Sequence, residues 1–351
     1  MSLFYQLTEE VIRREAAGKS LIKLHIGSTN LKTPDPAVEA ARLFLQASRS
    51  SYGSAAGQPG LRAALAKREG RPIEDIVVGP GSKQLIFALA AISNRKRFVT
   101  AAPYWPAYRL IAEQLRMEFV AIETTLENRW SLPEYKSSAD DFIVLCNPVN
   151  PTSTLIEPTG FATWITEAKR RGGLVVVDEA YRGIAFREQP LWDAVRVRSF
   201  SKEFNMEGFR IGYVVSGSDI SDQLIAFNQI SITCVPPFIQ SAAEAGIVHE
   251  KELLSAHRAI WQRRTAALAR GLRQIGFEFV EPDSGMFLFA RHPAIRDSNA
   301  FTLGLLDRGV SVSPGSGFGN FDSYIRLSAS EEPDELLKAC DIIDAYLKIA
   351  A

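Results

Sequence analysis

The 351-residue chain carries 40 basic and 40 acidic side chains, with 46% hydrophobic and 23% charged residues. This balance argues against the strong basic field of a nucleic-acid binder or of a protein held electrostatically at a membrane, and the length allows a large core in two domains or one big one. There is no long uncharged apolar run and no charged-then-apolar leader at Met1, and Cys146, Cys234 and Cys340 are odd in number and far apart, which argues against a disulfide framework or a zinc site and favours a reducing compartment, the cytoplasm.

In chain order, residues 4–17 read as a helix with apolar positions at Leu7, Val11 and Ile12 and with Thr8 as a possible cap, stopped by Gly18. Residues 21–26 read as a short strand ending at Gly27; a loop follows, and Pro36 opens the next helix in its first turn. Tyr52-Gly-Ser-Ala-Ala-Gly is small and flexible and precedes a helix over 61–68. From Ile76 the pattern becomes strand, turn, helix. Strands over 76–78, 97–100, 142–146 and 174–177 lead into Gly79-Pro-Gly-Ser-Lys, Pro103-Tyr-Trp-Pro, Asn147-Pro-Val-Asn-Pro-Thr and Asp178-Glu-Ala-Tyr. Helices over 84–92, 108–115 and 160–171 follow the first three of those loops. Continuous Val/Ile/Leu runs alternating with helices predict an α/β fold: a mostly parallel sheet sandwiched by helices, with ligands beyond the carboxyl ends of the strands. A long amphipathic helix over 250–274 ends near Gly276. Beyond it, apolar runs at 277–280, 285–290, 310–313 and 324–328, a helix over 301–308 and a last helix suggest a smaller α+β domain. The expected division is a large domain over 38–255 and a small domain made of 256–351 with the amino-terminal arm, 1–37.

The chain is organised around the stretch 197–216, V-R-S-F-S-K-E-F-N-M-E-G-F-R-I-G-Y-V-V-S. Alternation through Ile211, Tyr213 and Val215 predicts a strand leaving it. Lys202 can form a Schiff base with a carbonyl while Ser199, Ser201 and Arg210 hold an anion such as a phosphate. Taken alone, an exposed basic turn explains the stretch equally well. Gly81, Ser82 and Lys83 open a helix, where free N–H groups and the dipole also favour an anion. Asp178 at a strand end, Asn150 in the Asn-Pro loop and Lys202 after another strand are placed to converge on one pocket. Singly, each has an ordinary structural explanation: a helix cap, turn chemistry, a basic turn.

Ser-x-Ser-Lys followed by Gly-x-Arg-x-Gly, with Asp-x-x-Tyr and Asn-Pro-x-Asn-Pro-Thr upstream, resembles the fold-type-I pyridoxal phosphate enzymes, and within them the class I/II aminotransferases. The resemblance runs from Gly27 to Arg326, with the motifs in the family's order. It implies that Lys202 bonds the cofactor and later moves the proton of the substrate's α-carbon, and that Asp178 keeps the pyridine nitrogen protonated so that the ring acts as electron sink. Asn150 and Tyr181 would bond the ring's phenolic oxygen, and Trp105 would stack on the ring, with Tyr104 as its alternative. Gly81, Ser82, Lys83, Ser199, Ser201 and Arg210 would hold the phosphate. Tyr52 would reach it from a second subunit of a homodimer, or else is a loop aromatic. Arg326 would bind the substrate's α-carboxylate, Gly27 would let the backbone approach the substrate, and Gly315-Ser-Gly-Phe-Gly is similar to the family's Pro-Gly-x-x-Phe-Gly turn. One departure is Ser153, where the family has glycine; at a positive φ serine costs about 1 kcal/mol or forces a shift of the loop.

The resemblance implies an aminotransferase of amino-acid metabolism or biosynthesis that moves the amino group of an L-amino acid to a 2-oxo acid, with ping-pong kinetics. A lyase, decarboxylase or cyclase on the same fold would use the same residues. A nicotinamide-dependent oxidoreductase is a poor fit, because Gly79-Pro-Gly-Ser-Lys-Gln lacks the third glycine of that fingerprint. A non-catalytic sensor would not need Lys202. No metal, nucleic-acid or membrane partner is expected, and His25 and Asn30 are polar residues near Gly27 with either a substrate-facing or a structural use.

Overall fold

The computed structural model describes residues 3–47 and 51–350; Met1, Ser2, residues 48–50 and Ala351 lie outside them. Its centre is a seven-stranded sheet in the order Ile76–Gly79, Gly212–Val215, Val195–Ser199, Leu174–Asp178, Asp141–Cys146, Arg97–Ala102, Glu118–Glu123. Gly212–Val215 runs antiparallel to both its neighbours, and the remaining pairs are parallel. Strand residues alternate between two apolar layers. Phe142 and Val144 join Phe98, Leu85 and Leu89 on one face; Ile143 and Leu145 join Phe161, Ile165 and Val175 on the other. Burial of both faces explains why these strands read as unbroken hydrophobic runs.

The carboxyl-terminal part builds a smaller antiparallel sheet from Ser313–Pro314, Tyr324–Ser328 and Phe287–Arg291. The amino-terminal strand Ile22–Lys23 pairs with Val310–Ser311. Leu24 enters the apolar cluster that these elements share with Trp261 and Leu268 of the long helix Glu250–Gln274 and with Leu336 and Ile343 of the last helix, Pro333–Ala350. The α/β class with a mostly parallel sheet is therefore the observed one.

Several local expectations are corrected. Thr8 lies inside the first helix, Leu3–Ala16, and not at its cap, because the apolar positions Phe4, Leu7 and Val11 carry the helical period through it. Ile12 lies off that face and is 54% exposed. Residues 277–280 form only an isolated bridge, Glu278 to Arg291. Two helices absent from the sequence reading, Ser218–Ser231 and Pro237–Val248, follow the reversed strand. Among the described residues no helix is long and apolar enough to cross a membrane.

Candidate active site

The carboxyl ends of the large sheet open into a cavity of about 690 Å³. Three consecutive parts of the chain shape its floor. Val195–Ser199 delivers the one-turn helix Phe200–Glu203, whose N-cap Ser199 accepts the Ser201 N–H at 3.2 Å. The next residue after Lys202, Glu203, is buried between Arg68 at 2.9 Å and Arg198 at 3.1 Å, so the turn that carries the lysine is anchored from below. The chain then bends through Arg210 (φ 54°) and returns as Gly212–Val215, so Lys202 and Arg210 open on the same edge.

Lys202 Nζ donates to the Gly27 carbonyl and lies 3.6 Å from a Glu207 carboxylate oxygen. Burial draws its amine down to about 8, against the pull of Glu207. Asp178 ends the next strand, 3% exposed, and accepts from the Tyr108 hydroxyl at 2.7 Å and the Ala180 N–H at 3.1 Å. Burial pushes its carboxyl up to about 6, with those two hydrogen bonds opposing the shift. Tyr181 OH accepts from Asn150 Nδ2 at 3.2 Å, and burial raises the phenol's pKa.

Arg326 comes from the smaller sheet and is 3% exposed. It donates to Asn150 Oδ1 at 3.1 Å and to the His25 carbonyl at 2.8 Å, and its plane lies 4.2 Å from the Phe287 ring and 4.9 Å from that of Phe318. Its Nε has no partner, and among the described residues it pairs with no carboxylate. A buried guanidinium without a counter-ion costs several kcal/mol unless an anion is supplied. Burial accordingly lowers its proton affinity.

At the other end, Gly81 (φ 90°) caps the helix Ser82–Ile92, and a Cβ there would stand 2.7 Å from Arg210 Nη2. The positive φ is what calls for glycine here; the guanidinium tip could shift to make room for a side chain. Ser82, Lys83, Ser199, Ser201 and Arg210 line this end of the cavity. Lys83 Nζ stands 5.1 Å over the Trp105 ring, and burial, then Arg210, lowers the lysine's pKa. Trp105 faces the cavity, whereas Tyr104 is 4% exposed and packs 4.9 Å from Phe119 in the core.

Gly27 lines the cavity, and a Cβ there would meet Phe287 Cζ at 2.8 Å, so the glycine also makes room for the ring beneath Arg326. Tyr52 is 87% exposed and does not line the cavity. Asn30 donates to Glu331 at 3.2 Å. His25 lines the cavity, with Nδ1 2.8 Å from Ser311 Oγ, and burial draws it down to about 4. Ser153 does adopt a positive φ, 56°, yet Asn150 keeps its partners. Glu207, Phe287 and Tyr108 were missed in the sequence. Glu207 had a signal, a carboxylate between two cations of one motif; the other two look like any core aromatic.

These features form a donor set with a carboxylate at one side, hydroxyls, a helix start and a guanidinium at one end, and an amine between, which fits pyridoxal 5'-phosphate. The comparisons agree with the class of enzyme so defined. Residues 19–343 match the model of the family described as aminotransferase class I and II. The aspartate aminotransferase of Thermococcus kodakarensis is 33% identical over 313 residues, covering 88% of this chain and 84% of that protein. An LL-diaminopimelate aminotransferase of Dehalococcoides mccartyi is 28% identical, covering 99% of this chain and 96% of that protein. The crystal structure of the Thermotoga maritima aspartate aminotransferase superposes with a TM-score of 0.93 at 23% identity, covering 99% and 97% of the two chains. The chain belongs to the class I/II aminotransferase family, whose members are fold-type-I pyridoxal phosphate enzymes.

Proposed function

We propose that this aminotransferase moves the amino group of an L-amino acid to a 2-oxo acid in amino-acid metabolism, with Lys202 as the amine that holds pyridoxal 5'-phosphate. The observation that carries this reading is the convergence of Lys202 and Asp178 from the large sheet with Arg326 from the small one on a single cavity. Asp178 would hold the pyridine nitrogen, Asn150 and Tyr181 the ring oxygen, and Trp105 the ring face. Gly81, Ser82, Lys83, Ser199, Ser201 and Arg210 would hold the phosphate, with Tyr52 contributed across a homodimer interface. When bound, the cofactor supplies an electron sink that makes the substrate's α-proton removable.

The chain's own residues do the rest. Arg326 takes the α-carboxylate as a bidentate partner, which relieves its unpaired burial and turns the α-carbon toward Lys202. The Lys202 amine, near 8 rather than its ordinary 10.5, is neutral often enough near pH 7 to accept that proton and pass it on. Asn150 touches both Tyr181 and Arg326, so one amide sets the register between the cofactor side and the substrate side. Phe287 and Phe318 exclude water around the guanidinium. The reading also divides the chain into a cofactor-binding body over 38–255 and a body of 1–37 with 256–351; Trp261, Leu268, Leu336 and Ile343 share an apolar cluster within the second, while Phe289, Phe318 and Tyr324 pack into the cluster of the first. The free cysteines are consistent with the cytoplasm.

Borohydride reduction of the cofactor-loaded protein, followed by peptide mapping, should place the label on Lys202, and Lys202→Ala should still bind cofactor without turning over. A label elsewhere refutes the assignment. Incubation with candidate amino acids should release the matching 2-oxo acid and leave the pyridoxamine form. Loss of carbon dioxide or an elimination product instead would make the enzyme a decarboxylase or lyase.

A further inference from the structure

The roles above leave one charged side chain of the cavity without a task. Glu207 sits between Lys202 and Arg210, with its side chain 27% exposed. Its Oε1 accepts the Thr29 N–H at 2.6 Å and lies 3.6 Å from Lys202 Nζ. Its carbonyl accepts from Arg210 Nη1 at 2.7 Å. Thr29 belongs to the loop that begins at Gly27, whose carbonyl also accepts from Lys202. Carboxylate, lysine and loop therefore close a triangle at the mouth of the cavity. Among the described residues Glu207 is the one carboxylate in ion-pair contact with this lysine.

We propose that Glu207 is a positioning residue for the catalytic lysine: it is the counter-ion of the Lys202 ammonium and fastens the Gly27–Asn30 loop beside it. The proposal rests on the reading of Lys202 given above. The lysine is faced from its own hairpin by Glu207 and Arg210 and from the small sheet by Arg326, with Asp178 and Tyr181 in the same cavity. Burial and both arginines favour the neutral amine; Glu207 acts against them. When the amine has taken a proton from substrate, the carboxylate would hold the ammonium in place until it passes the proton on. The same contact keeps Gly27 O on Nζ, so the lysine's two anchors stand or fall together.

Glu207→Gln keeps an acceptor for the Thr29 N–H and removes the charge; Glu207→Ala removes both. The readout is the pH midpoint of the Lys202 amine in the cofactor-free full chain, followed by NMR after reductive methylation with labelled formaldehyde and assigned with Lys202→Ala. Both variants should lower the midpoint by about one pH unit, and Thr29 amide protection against hydrogen exchange should be lost in Glu207→Ala alone. An unchanged midpoint in both, or a shift confined to Glu207→Ala, overturns the proposal by reducing Glu207 to a loop cap. This titration reads the contact itself, whereas failure of the Lys202 assignment would appear in the borohydride mapping.

Discussion

At Ser153 the backbone takes a conformation that suits glycine, φ 56°, at a cost of about 1 kcal/mol. The hydroxyl offsets that cost. It accepts the Phe287 N–H at 2.9 Å, and the Ser153 carbonyl accepts from Asp283 N at 2.9 Å and Ser284 N at 3.1 Å. One residue of the Asn-Pro loop thus fixes where the strand under Arg326 begins. Ser153→Ala keeps the strained backbone and strands the Phe287 N–H, so denaturant unfolding should show a loss of about 1–3 kcal/mol. Ser153→Gly should lose about 1 kcal/mol less, because the strain goes with the side chain; equal losses would show that the backbone carries no cost. Tyr108 invites a second test. Its hydroxyl is one of two groups that hold the Asp178 carboxyl down against burial. In Tyr108→Phe the acidic limb of kcat/KM should move to higher pH, and an unmoved limb would show that Asp178 does not govern it. Lys202 and Asp178 stand out in the sequence as charges beside apolar runs, whereas Arg326 takes its expected role from the family resemblance alone. The sequence was silent on Tyr108 and Phe287, whose use depends on what lies opposite them across the fold.

The strand–turn–strand unit from Val195 to Val215 is the element on which the site depends most. Because Gly212–Val215 is reversed, the chain enters and leaves the cavity edge within one hairpin, with no crossover helix between Lys202 and Arg210. Holding the lysine in that buried turn has a stability cost with a definite pH signature. The folded amine is drawn from 10.5 to about 8, so the penalty is full below about pH 8 and disappears as pH rises toward 10.5, where the unfolded chain also loses its proton. Lys202→Met should therefore make the cofactor-free protein more stable at pH 7, with the advantage shrinking above pH 8. A pH-independent difference in thermal or urea midpoints would contradict this. The long helix Glu250–Gln274 was legible end to end, since its period lasts seven turns and Gly276 follows it. Glu118–Glu123 was not: it is an edge strand, with glutamates at both ends and only Ile122 buried. Pro237–Val248 also escaped, because apolar residues surround the helix and give no polar face to set a period.

Across the whole molecule, the exposed apolar side chains matter most for assembly. Val38 and Leu45, seven residues apart and so on one face of Asp35–Gln46, are 45% and 59% exposed, and Tyr52 follows that helix at 87%. The proposed homodimer would bury this region. The double variant Val38→Glu, Leu45→Glu should sediment as a monomer and lose cofactor affinity together with Tyr52's contribution, whereas a dimer with intact affinity would place the interface elsewhere. In the proposed function the two sheets would carry separate tasks: Asp178 ends a strand of the larger, with Lys202 and Arg210 on the turn at its edge, and Arg326 and Phe287 stand on the smaller, with Asn150 the amide that touches Tyr181 and Arg326. A laboratory seeking a new amino donor can accordingly randomise positions around the smaller sheet and the first helix while leaving the coenzyme's grip as it is. Selection on one side of the cleft need not be undone on the other.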